Sequence, residues 1–386
     1  MSGEDLAAIH DARLRDLATG ALDDASVRRF ADEHGVPLVS ADRVTFVYYG
    51  RADAVHLRHW VYGLPGHQPF SRLAGTNLWF REVNLPPKSR VEYKLEVVVD
   101  GEGQWHLDPL NPRRAHDPFG ANSVCHGPGY VRPAWTLPQP DARSGALVEV
   151  AVKSRVFGET RRVPLYLPAR FRTTGRYPLL VVHDGSDYVD YAALEVVLDN
   201  LIDGLEIPPL IAALSNPGER LVEYPGDPRH AQHITEELVP YLEAKFPVIR
   251  RPNARGIAGA SFGAVASLYT AWRYPGFYGR LLLQSGSFAF TDIGPHHRSR
   301  EFDPVVAFMN AFRRAPGRPS ERVFVSCGTY ESLIYENRSM VPFFQGAGLD
   351  VRYVEARDGH NWENWRDRLR EGLSWLFPGP LWMTYE

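Results

Sequence analysis

The fold is decided by one stretch, which reads RGIAGASFGAVA at residues 255–266. It places Ser261 in a G-x-S-x-G pentapeptide, after a run of small apolar residues and before a helix-prone run at 264–274. A serine on a strained turn between strand and helix favours glycine two positions to either side, because a Cβ there would obstruct the two backbones. The pentapeptide alone is weak evidence, since glycine and serine are common residues. Its strand–turn–helix context predicts a nucleophile elbow.

Apolar runs alternate with helical patterns from residue 146 to the C-terminus. Residues 146–154 and 161–166 are predicted as an antiparallel pair, and further strands are predicted at 179–185, 210–214, 280–284, 322–327 and 351–355. Helices are predicted between them, at 191–201, 231–246, 334–347 and 362–376. Continuous apolar strands between helices are typical of a parallel sheet covered on both faces. With the elbow on a central strand, the pattern predicts an α/β-hydrolase fold over residues 146–386.

The first 145 residues follow different patterns. Residues 4 to about 35 show helical spacing, so we predict a helical preface over 1–40. From residue 43 the apolar period is two, in runs at 44–49, 54–60, 78–83 and 91–97 that Pro, Gly and Asn separate. This pattern predicts an all-β, immunoglobulin-like sandwich over 41–145. We interpret the Pro- and Gly-rich passage from 108 to 140 as the end of the sandwich and a linker.

Composition excludes several classes of protein. The 386 residues carry 44% hydrophobic and 23% charged side chains, which is ordinary for a globular protein of two domains. A net charge of −3 provides no basic field for nucleic acid, and no apolar run approaches the length needed to span a bilayer. The polar N-terminus lacks a secretory pattern, so we expect a cytoplasmic protein with neither nucleic-acid nor membrane partners. A mature chain whose signal had been removed would read the same.

Cysteine and histidine give no sign of a bound metal. Cys125 and Cys327 lie one in each predicted domain and suggest neither a disulfide framework nor a cysteine metal site. The 14 histidines show no H-E-x-x-H spacing, and the pair His296–His297 is interpreted as a solvated loop. We therefore predict no metal and no cofactor.

A serine hydroxyl needs a neighbouring base, and the base needs an acid to orient it. In this fold the chain order is serine, acid, histidine, with the acid after a late strand and the histidine after the last strand. The predicted strand ending at Cys327 is followed by Glu331, and the strand ending at Glu355 is followed by His360. We therefore predict that His360 is the general base for Ser261 and that Glu331 is its orienting carboxylate.

Other carboxylates near loops stay open as the third catalytic residue. They are Asp303, Glu336 and Asp358, together with Asp292 after the strand at 280–284. Glu331 is favoured over them because it follows the expected strand in the expected order.

The oxyanion formed by attack on an ester needs hydrogen-bond donors already aimed at it. In this fold these are the amide after the nucleophile and an amide after an earlier strand. We predict that they are the amide of Phe262 and those of the Gly185–Ser186 turn.

Two further side chains are candidates for substrate binding. Trp362, two residues beyond His360, could line an aromatic pocket or could equally pack under the last helix. Arg220 could meet an anionic substrate, although an internal pair between Arg220 and Glu223 is favoured.

Several short motifs carry a resemblance to a known family. They are VTF at 44–46, DPLNP at 108–112, HDG at 183–185, GASFGA at 259–264, QSGS at 284–287, GTYE at 328–331 and GHNWENWR at 359–366. On these residues the chain, from about residue 40 onward, resembles the enterochelin (ferric enterobactin) esterases. Members of that family join an N-terminal sandwich to an esterase-D-like α/β-hydrolase.

The resemblance implies a cytoplasmic serine esterase that opens the ester bonds of iron-loaded catecholate trilactones, with catalytic residues matching Ser261 and His360. Iron and catechol would be parts of the substrate. The family often has Gly-Gly-His-Asp where this chain has Asp358-Gly359-His360-Asn361. Feruloyl and acetyl-xylan esterases share much of the pattern, so a carbohydrate esterase is an alternative. A binding protein with a degenerate hydrolase domain is another.

Overall fold

A computed structural model describes residues 9–290 and 298–380, and its strands form three sheets. Close Cα neighbours group the chain into two units. One unit, here called the β unit, runs up to Val131 and also contains Thr329–Ser332 and Ala356–Asn361. The other, the α/β unit, contains Arg132–Gly328, Leu333–Glu355 and the residues from Trp362 onward. The domain limits at residues 40 and 145 stay predictions.

Between residues 9 and 131, the β unit has two short helices and two sheets. The helices are α1 (Ala12–Thr19) and α2 (Asp24–His34). The strands are β1 (Leu38–Val39), β2 (Arg43–Tyr49), β3 (Ala54–His59), β4 (His67–Pro69), β5 (Ser71–Arg72), β6 (Leu78–Asn84), β7 (Arg90–Val99), β8 (Glu102–His106), β9 (Arg114–Asp117) and β10 (Gly120–His126). One sheet has the order β1-β2-β6-β5, and the other has the order β4-β3-β7-β10-β9 with β8 paired to β7.

Alternating residues of the two sheets form one apolar core. Phe46 and Trp79 from the first sheet lie in the same buried cluster as Leu57, Tyr93 and Leu95 from the second. Burial of each such side chain stabilises the fold by about 1.5–3 kcal/mol. A two-sheet β domain with the four predicted strands is therefore confirmed.

The first part of the Pro- and Gly-rich passage belongs to the second sheet of the β unit. Strands β9 and β10 lie within it and pair with each other, Ala121 opposite His116 and Asn122 opposite Ala115. Strand β10 then pairs with β7. These two strands were not predicted individually, because their short apolar runs are hidden between turn-forming residues.

The described part of the α/β unit has one sheet of eight strands. They are β11 (Ala146–Ser154), β12 (Glu159–Leu167), β13 (Leu179–His183), β14 (Ile211–Ser215), β15 (Arg255–Ala260), β16 (Arg280–Gln284), β17 (Arg322–Gly328) and β18 (Asp350–Ala356). Their order is β11-β12-β14-β13-β15-β16-β17-β18. Strands β14, β13, β15, β16 and β17 are mutually parallel, whereas β11, β12 and β14 pair antiparallel.

Helices cover both faces of this sheet. They are α3 (Gly185–Ala192), α4 (Leu194–Asp203), α5 (Arg220–Glu223), α6 (Pro228–Gln232), α7 (Val239–Lys245), α8 (Phe262–Arg273), α9 (Asp303–Arg314), α10 (Ile334–Gly346) and α11 (Trp362–Leu376). Neighbouring residues of the central strand β15 point to opposite faces. Ile257 belongs to one buried cluster and Ala258 to the other. The α/β-hydrolase fold with a preceding β domain is thus confirmed, and no helix among the described residues has both the length and the apolar surface to cross a membrane.

Three helices differ from the sequence-based expectation. The helix expected at 191–201 is divided by Ala193, whose φ of 50° ends α3 and starts α4. The helix expected at 231–246 is interrupted by a π-helical segment, His233–Leu238. Helix α9 was not predicted, although its buried residues Val305, Phe308, Met309 and Phe312 have helical spacing.

Candidate active site

Ser261 occupies a sharp turn between β15 and α8. Ala260 ends the strand and Phe262 begins the helix, while Ser261 itself has φ 56° and ψ −122°. Left-handed backbone is strained for a residue with a Cβ and persists only where the surrounding structure enforces it. The geometry is that of a nucleophile elbow.

The glycines of the pentapeptide have the steric role expected of them. A Cβ on Gly259 would lie 2.4 Å from the carbonyl carbon and oxygen of Gly263, which no real side chain tolerates. A Cβ on Gly263 would lie 3.3 Å from both Asp184 Oδ2 and His183 Cβ. Strand β15 and helix α8 can approach this closely only because Gly259 lacks a side chain, and Gly263 allows α8 to lie close to the end of β13.

Ser287 lies beside the elbow, and no role was predicted for it from the sequence. Its Oγ is 3.2 Å from the Oγ of Ser261. The loop is held by Asn337, whose side chain accepts from the amide of Gly286 at 3.0 Å and donates to its carbonyl at 2.9 Å. The QSGS motif at 284–287 was the signal in the sequence.

Two of the predicted oxyanion donors stand at the start of helices. Phe262 and Gly185 are the first residues of α8 and α3, so their amides have no carbonyl partner inside those helices. The preceding strands β15 and β13 are parallel neighbours, which brings both helix N-termini to the same sheet edge. These positive ends favour a developing negative charge.

The third predicted donor, Ser186, is differently placed. Its amide donates to Oδ1 of Asn216 at 3.2 Å, and Asn216 Nδ2 donates to Ser186 Oγ at 2.7 Å. Asn216, which follows β14, thus fixes the start of α3, and sequence reasoning missed it. Gly185 must be glycine, because a Cβ there would lie 2.3 Å from Leu214 Cα.

Glu331 and His360 form a hydrogen-bonded pair within the β unit. His360 Nδ1 and Glu331 Oε2 are 2.7 Å apart, with the carboxylate buried and the imidazole side chain 37% exposed. A carboxylate can only accept, so the bond places a proton on Nδ1 and leaves the Nε2 lone pair for the base role. The pair has the arrangement of a histidine base and its orienting acid.

The alternative acids have other surroundings. Glu336 pairs with Arg298, and Asp303 begins helix α9. Asp358 bonds to Arg90 rather than to an imidazole. Asp292, like the pair His296–His297, lies outside the described residues.

Asp358 is the centre of a buried polar network. Arg90 Nη1 donates to its two oxygens at 3.1 and 3.4 Å and also to Asn361 Oδ1 at 2.9 Å. Asn361 Nδ2 and the Gly359 amide both donate to Asp358 Oδ1, at 2.8 and 2.7 Å. Burial raises the pKa of Asp358 to about 6, although the Arg90 charge opposes that rise.

Arg220 pairs with Asp184. Its Nη2 lies 2.8 Å from Asp184 Oδ2, and its Nε donates to both carboxylate oxygens at 3.0 Å. The favoured pair between Arg220 and Glu223 was wrong, because Glu223 accepts two hydrogen bonds from the buried Arg161, at 2.7 and 2.8 Å. Arg161, the partner of Glu223, lies in β12 and is distant in sequence, so local spacing did not indicate this pair. A substrate contact for Arg220, which is 38% exposed, stays a prediction.

Trp362 packs at the start of the last helix. It is 8% exposed and makes edge-to-face contacts with Tyr188 and Trp365 at centroid distances of 5.2 and 4.7 Å. This geometry matches the packing alternative. A role as the wall of a substrate pocket stays a prediction.

One group of metal-ligating side chain types stands out among residues 9–290 and 298–380. His56 Nδ1 and His67 Nε2 lie 3.3 and 3.2 Å from Glu96 Oε2. Arg58 already donates to both oxygens of that carboxylate, at 3.0 and 2.9 Å. Because a fixed cation neutralises the one anionic ligand, the group is an ion-pair cluster. The expectation of no metal stays a prediction.

Comparisons with known proteins find similarity to esterases. Residues 154–376 match the family model described as "Putative esterase". The chain is 26% identical to the iron(III) enterobactin esterase of Escherichia coli, over 82% of this chain and 85% of that protein. It is 25% identical to the corresponding protein of Dickeya dadantii, over 81% and 80%.

Solved structures share the fold. An enterobactin esterase from Shigella flexneri, crystallised in the presence of enterobactin, superposes with a TM-score of 0.70 at 23% identity, over 86% of this chain and 92% of that one. A ferric enterobactin esterase from Salmonella typhimurium gives 0.72 at 21%, over 86% and 93%. A ferulic acid esterase gives 0.52 at 19% and covers only 61% of this chain, although 98% of its own.

Proposed function

We propose, on the premise that the chain belongs to the esterase family and is a carboxylic ester hydrolase, that it opens the ester bonds of a catecholate siderophore trilactone. The elbow at Ser261 is the observation that carries ester hydrolysis. The substrate class is supported by likeness to iron(III) enterobactin esterases over 82% of this chain. The similar ferulic acid esterase structure covers 61% of this chain and therefore leaves 39% of it without a counterpart. A cytoplasmic location remains part of the proposal.

Ser261, His360 and Glu331 form the proposed catalytic triad. Strands β15 and β17, which precede Ser261 and Glu331, run parallel in one sheet with β16 between them, and β18, which precedes His360, follows β17. Carboxyl ends of parallel strands share one edge, where this fold assembles its catalytic residues. The bond from His360 Nδ1 to Glu331 supports the role of Nε2 as base.

In the proposed first half-reaction, Ser261 Oγ attacks the ester carbonyl carbon while His360 Nε2 takes the hydroxyl proton. The carbonyl oxygen becomes an oxyanion that accepts from the amides of Phe262 and Gly185. The intermediate then collapses, the bond to the leaving alkoxide breaks, and His360 returns the proton to that oxygen. A linear product hydroxyl and an acyl-enzyme result.

The second half-reaction repeats these roles with water. His360 removes a proton from water, the hydroxide oxygen attacks the acyl carbon, and Ser261 leaves with the proton that His360 holds. Each cycle consumes one water and one ester bond. Iron and catechol stay on the substrate throughout, so the proposed chemistry uses no redox step.

The test follows release of dihydroxybenzoylserine from a ferric trilactone by wild type and by Ser261→Ala. We expect wild type to release it and Ser261→Ala to lose more than about 10³-fold in rate. The matched control is Ser71→Ala, a serine on the exposed strand β5, which should keep wild-type activity. Equal rates for wild type and Ser261→Ala would refute the proposed nucleophile.

Two further measurements separate the alternative functions. Faster hydrolysis of feruloyl or acetyl-xylan esters than of the trilactone would favour a carbohydrate esterase. A fluorophosphonate probe should label wild type and Ser71→Ala but not Ser261→Ala. Absence of labelling in wild type would favour a binding protein with a degenerate hydrolase domain.

A further inference from the structure

The loops that carry Glu331 and His360 belong to the β unit. Each leaves a strand of the large sheet, yet residues 329–332 and 356–361 group with the N-terminal residues. One dipeptide, Ser89–Arg90 at the start of β7, contacts both loops. The N-terminal residues of the β unit therefore contact the two loops that carry the proposed base and its orienting acid.

Arg90 binds the residues on either side of His360. It is fully buried, and its Nη1 donates to Asp358, two residues before His360, and to Asn361, one residue after it. Its backbone amide also donates to the carbonyl of Arg357 at 2.9 Å. The loop is thus fixed on both sides of the imidazole.

The guanidinium is itself held in place. Its Nη2 donates to Glu92 at 2.8 Å, and Glu92 accepts from Asn122 Nδ2 at 2.9 Å. Both Glu92 and Asn122 lie on strands of the same sheet, β7 and β10. A rigid strand pair therefore sets the direction in which the guanidinium points.

Ser89 completes the arrangement at the other loop. Its Oγ is 2.6 Å from the hydroxyl of Tyr330, the residue before Glu331. The amide of Tyr62 donates to the carbonyl of Tyr330 at 2.8 Å. The two loops are also joined directly, because the Tyr330 amide donates to the carbonyl of Asp358 at 3.1 Å.

This arrangement answers a physical need. A side chain that is 37% exposed, as His360 is, cannot be fixed by apolar packing on all sides. A catalytic base misplaced by about 1 Å can cost about 100-fold in rate. The backbone of residues 357–361 must then be fixed instead, and buried charge-assisted hydrogen bonds are suited to that task.

We propose that Arg90 is a positioning residue for His360, acting through Asp358 and Asn361. The inference rests on the proposed function for the role of His360 as base. The β domain then contributes to catalysis by orienting the imidazole, and it does so without touching the reacting atoms.

The test uses Arg90→Met together with the double variant Arg90→Met/Asp358→Asn. The single variant leaves the buried Asp358 carboxylate without its guanidinium, which is strongly destabilising in buried ion pairs. The double variant removes both charges, so it should recover most of the lost stability. Both should lower kcat about 10- to 100-fold on p-nitrophenyl butyrate, with KM changed less than about 3-fold.

A direct readout of His360 accompanies the kinetics. The proton on Nδ1 bonded to Glu331 should give a low-field NMR resonance in wild type, assigned by its loss in Glu331→Gln. In the double variant the resonance should shift or broaden, and the acid limb of the kcat/KM pH profile should move. A purely structural role would leave both unchanged in folded protein.

Arg58→Met is the matched control. Arg58 lies on β3 of the same unit and pairs with Glu96, whose other ion-pair partners are His56 and His67 on β3 and β4. It should keep the wild-type resonance, pH profile and kcat. The proposal is overturned if the double variant, at temperatures where it is folded, keeps the wild-type kcat and resonance.

Failure of the proposed function would be recognised separately. If Ser261→Ala hydrolysed esters as fast as wild type, the nucleophile would be wrong. The resonance of His360 in the Arg90 variants would still report whether Arg90 orients that side chain.

Discussion

The turn that carries Ser261 and the loop that carries His360 are held by opposite means. Ser261 follows a strand in which every residue is buried, and its position is enforced by apolar packing and by the missing side chains of Gly259 and Gly263. His360 lies on a loop that is fixed by hydrogen bonds from Arg90. Arg90 precedes Asp358 of this loop by 268 residues.

The difference has a consequence for how each half of the proposed site responds to change. Close packing has no charge to titrate, so the elbow should hold its geometry over any pH at which the α/β unit is folded. The loop of His360 depends on an ion pair, and its geometry should depend on the protonation of Asp358. Three predictions examine this contrast.

The largest expected effect is the loss of activity on replacing the orienting acid, Glu331. Glu331→Gln replaces the acceptor for His360 Nδ1–H by a group that can donate, which favours the wrong tautomer. We expect kcat to fall about 10³-fold with little change in KM. Steady-state hydrolysis of p-nitrophenyl butyrate measures it.

Glu336→Gln is the matched control. Glu336 is also a buried glutamate but pairs with Arg298 and has no bond to His360. It should keep kcat within about 3-fold. A large loss in Glu336→Gln with little in Glu331→Gln would exchange the roles of the two residues.

The next effect is on the elbow itself. Gly259→Ala places a Cβ 2.4 Å from the Gly263 backbone, so strand and helix must separate. We expect the free energy of unfolding to fall by about 3 kcal/mol and kcat to fall about 100-fold. Urea unfolding and ester hydrolysis measure the two.

Gly346→Ala serves as its control. Gly346 ends α10, and a Cβ there meets no atom within 4 Å. The free energy of unfolding should stay the same or rise by about 0.5 kcal/mol. If Gly259→Ala behaved like Gly346→Ala, steric enforcement of the elbow would be wrong.

The smallest effect is a pH dependence that arises from Asp358. Burial raises the pKa of Asp358 from 3.8 to about 6 in the folded protein. The folded state therefore binds its proton more tightly, and this group lowers the free energy of unfolding as pH rises from about 4 to about 6. Asp358→Asn removes that slope. The free energy of unfolding of Asp358→Asn, taken relative to that of wild type, should therefore rise by about 1–3 kcal/mol as pH rises from about 4 to about 6.

Glu237→Gln provides the comparison in the α/β unit. Burial alone would raise the pKa of Glu237, but hydrogen bonds from His233, Ser154 and two backbone amides outweigh it and lower the pKa to about 2. Its stabilising contribution is present above pH 4.5 and lost as pH falls toward 2. Urea unfolding between pH 5 and 7.5, a range that includes the upper half of the Asp358 window, should therefore show a constant offset for Glu237→Gln. A constant offset for Asp358→Asn as well would contradict the raised pKa.

Much of the fold could be predicted from local patterns in the sequence. The buried strands, the elbow and the last helix Trp362–Leu376 were predicted because continuous apolar runs and helical periodicity are strong signals. The partner of His360 was predicted from chain order alone, and the structure places Glu331 2.7 Å from its imidazole. These features depend on residues near one another in sequence or on a rule of the fold.

The polar contacts between residues far apart in the sequence could not be predicted. Nothing in the sequence indicates that Arg90 meets Asp358, or that Arg220 passes over nearby Glu223 to bind Asp184. Strands β9 and β10 were hidden by prolines and glycines on either side. Such contacts depend on three-dimensional proximity, which neither composition nor periodicity encodes.

The long chain separation within the Arg90 network also bears on synthesis of the protein. Arg90 leaves the ribosome 268 residues ahead of Asp358. At about 5–20 residues per second, its partner follows roughly 15 to 50 s later. Arg90 therefore remains exposed to water until nearly the whole polypeptide has emerged, because its partner Asp358 is synthesised late. Maturation of the loop around His360 would then be among the last events in the biogenesis of the protein.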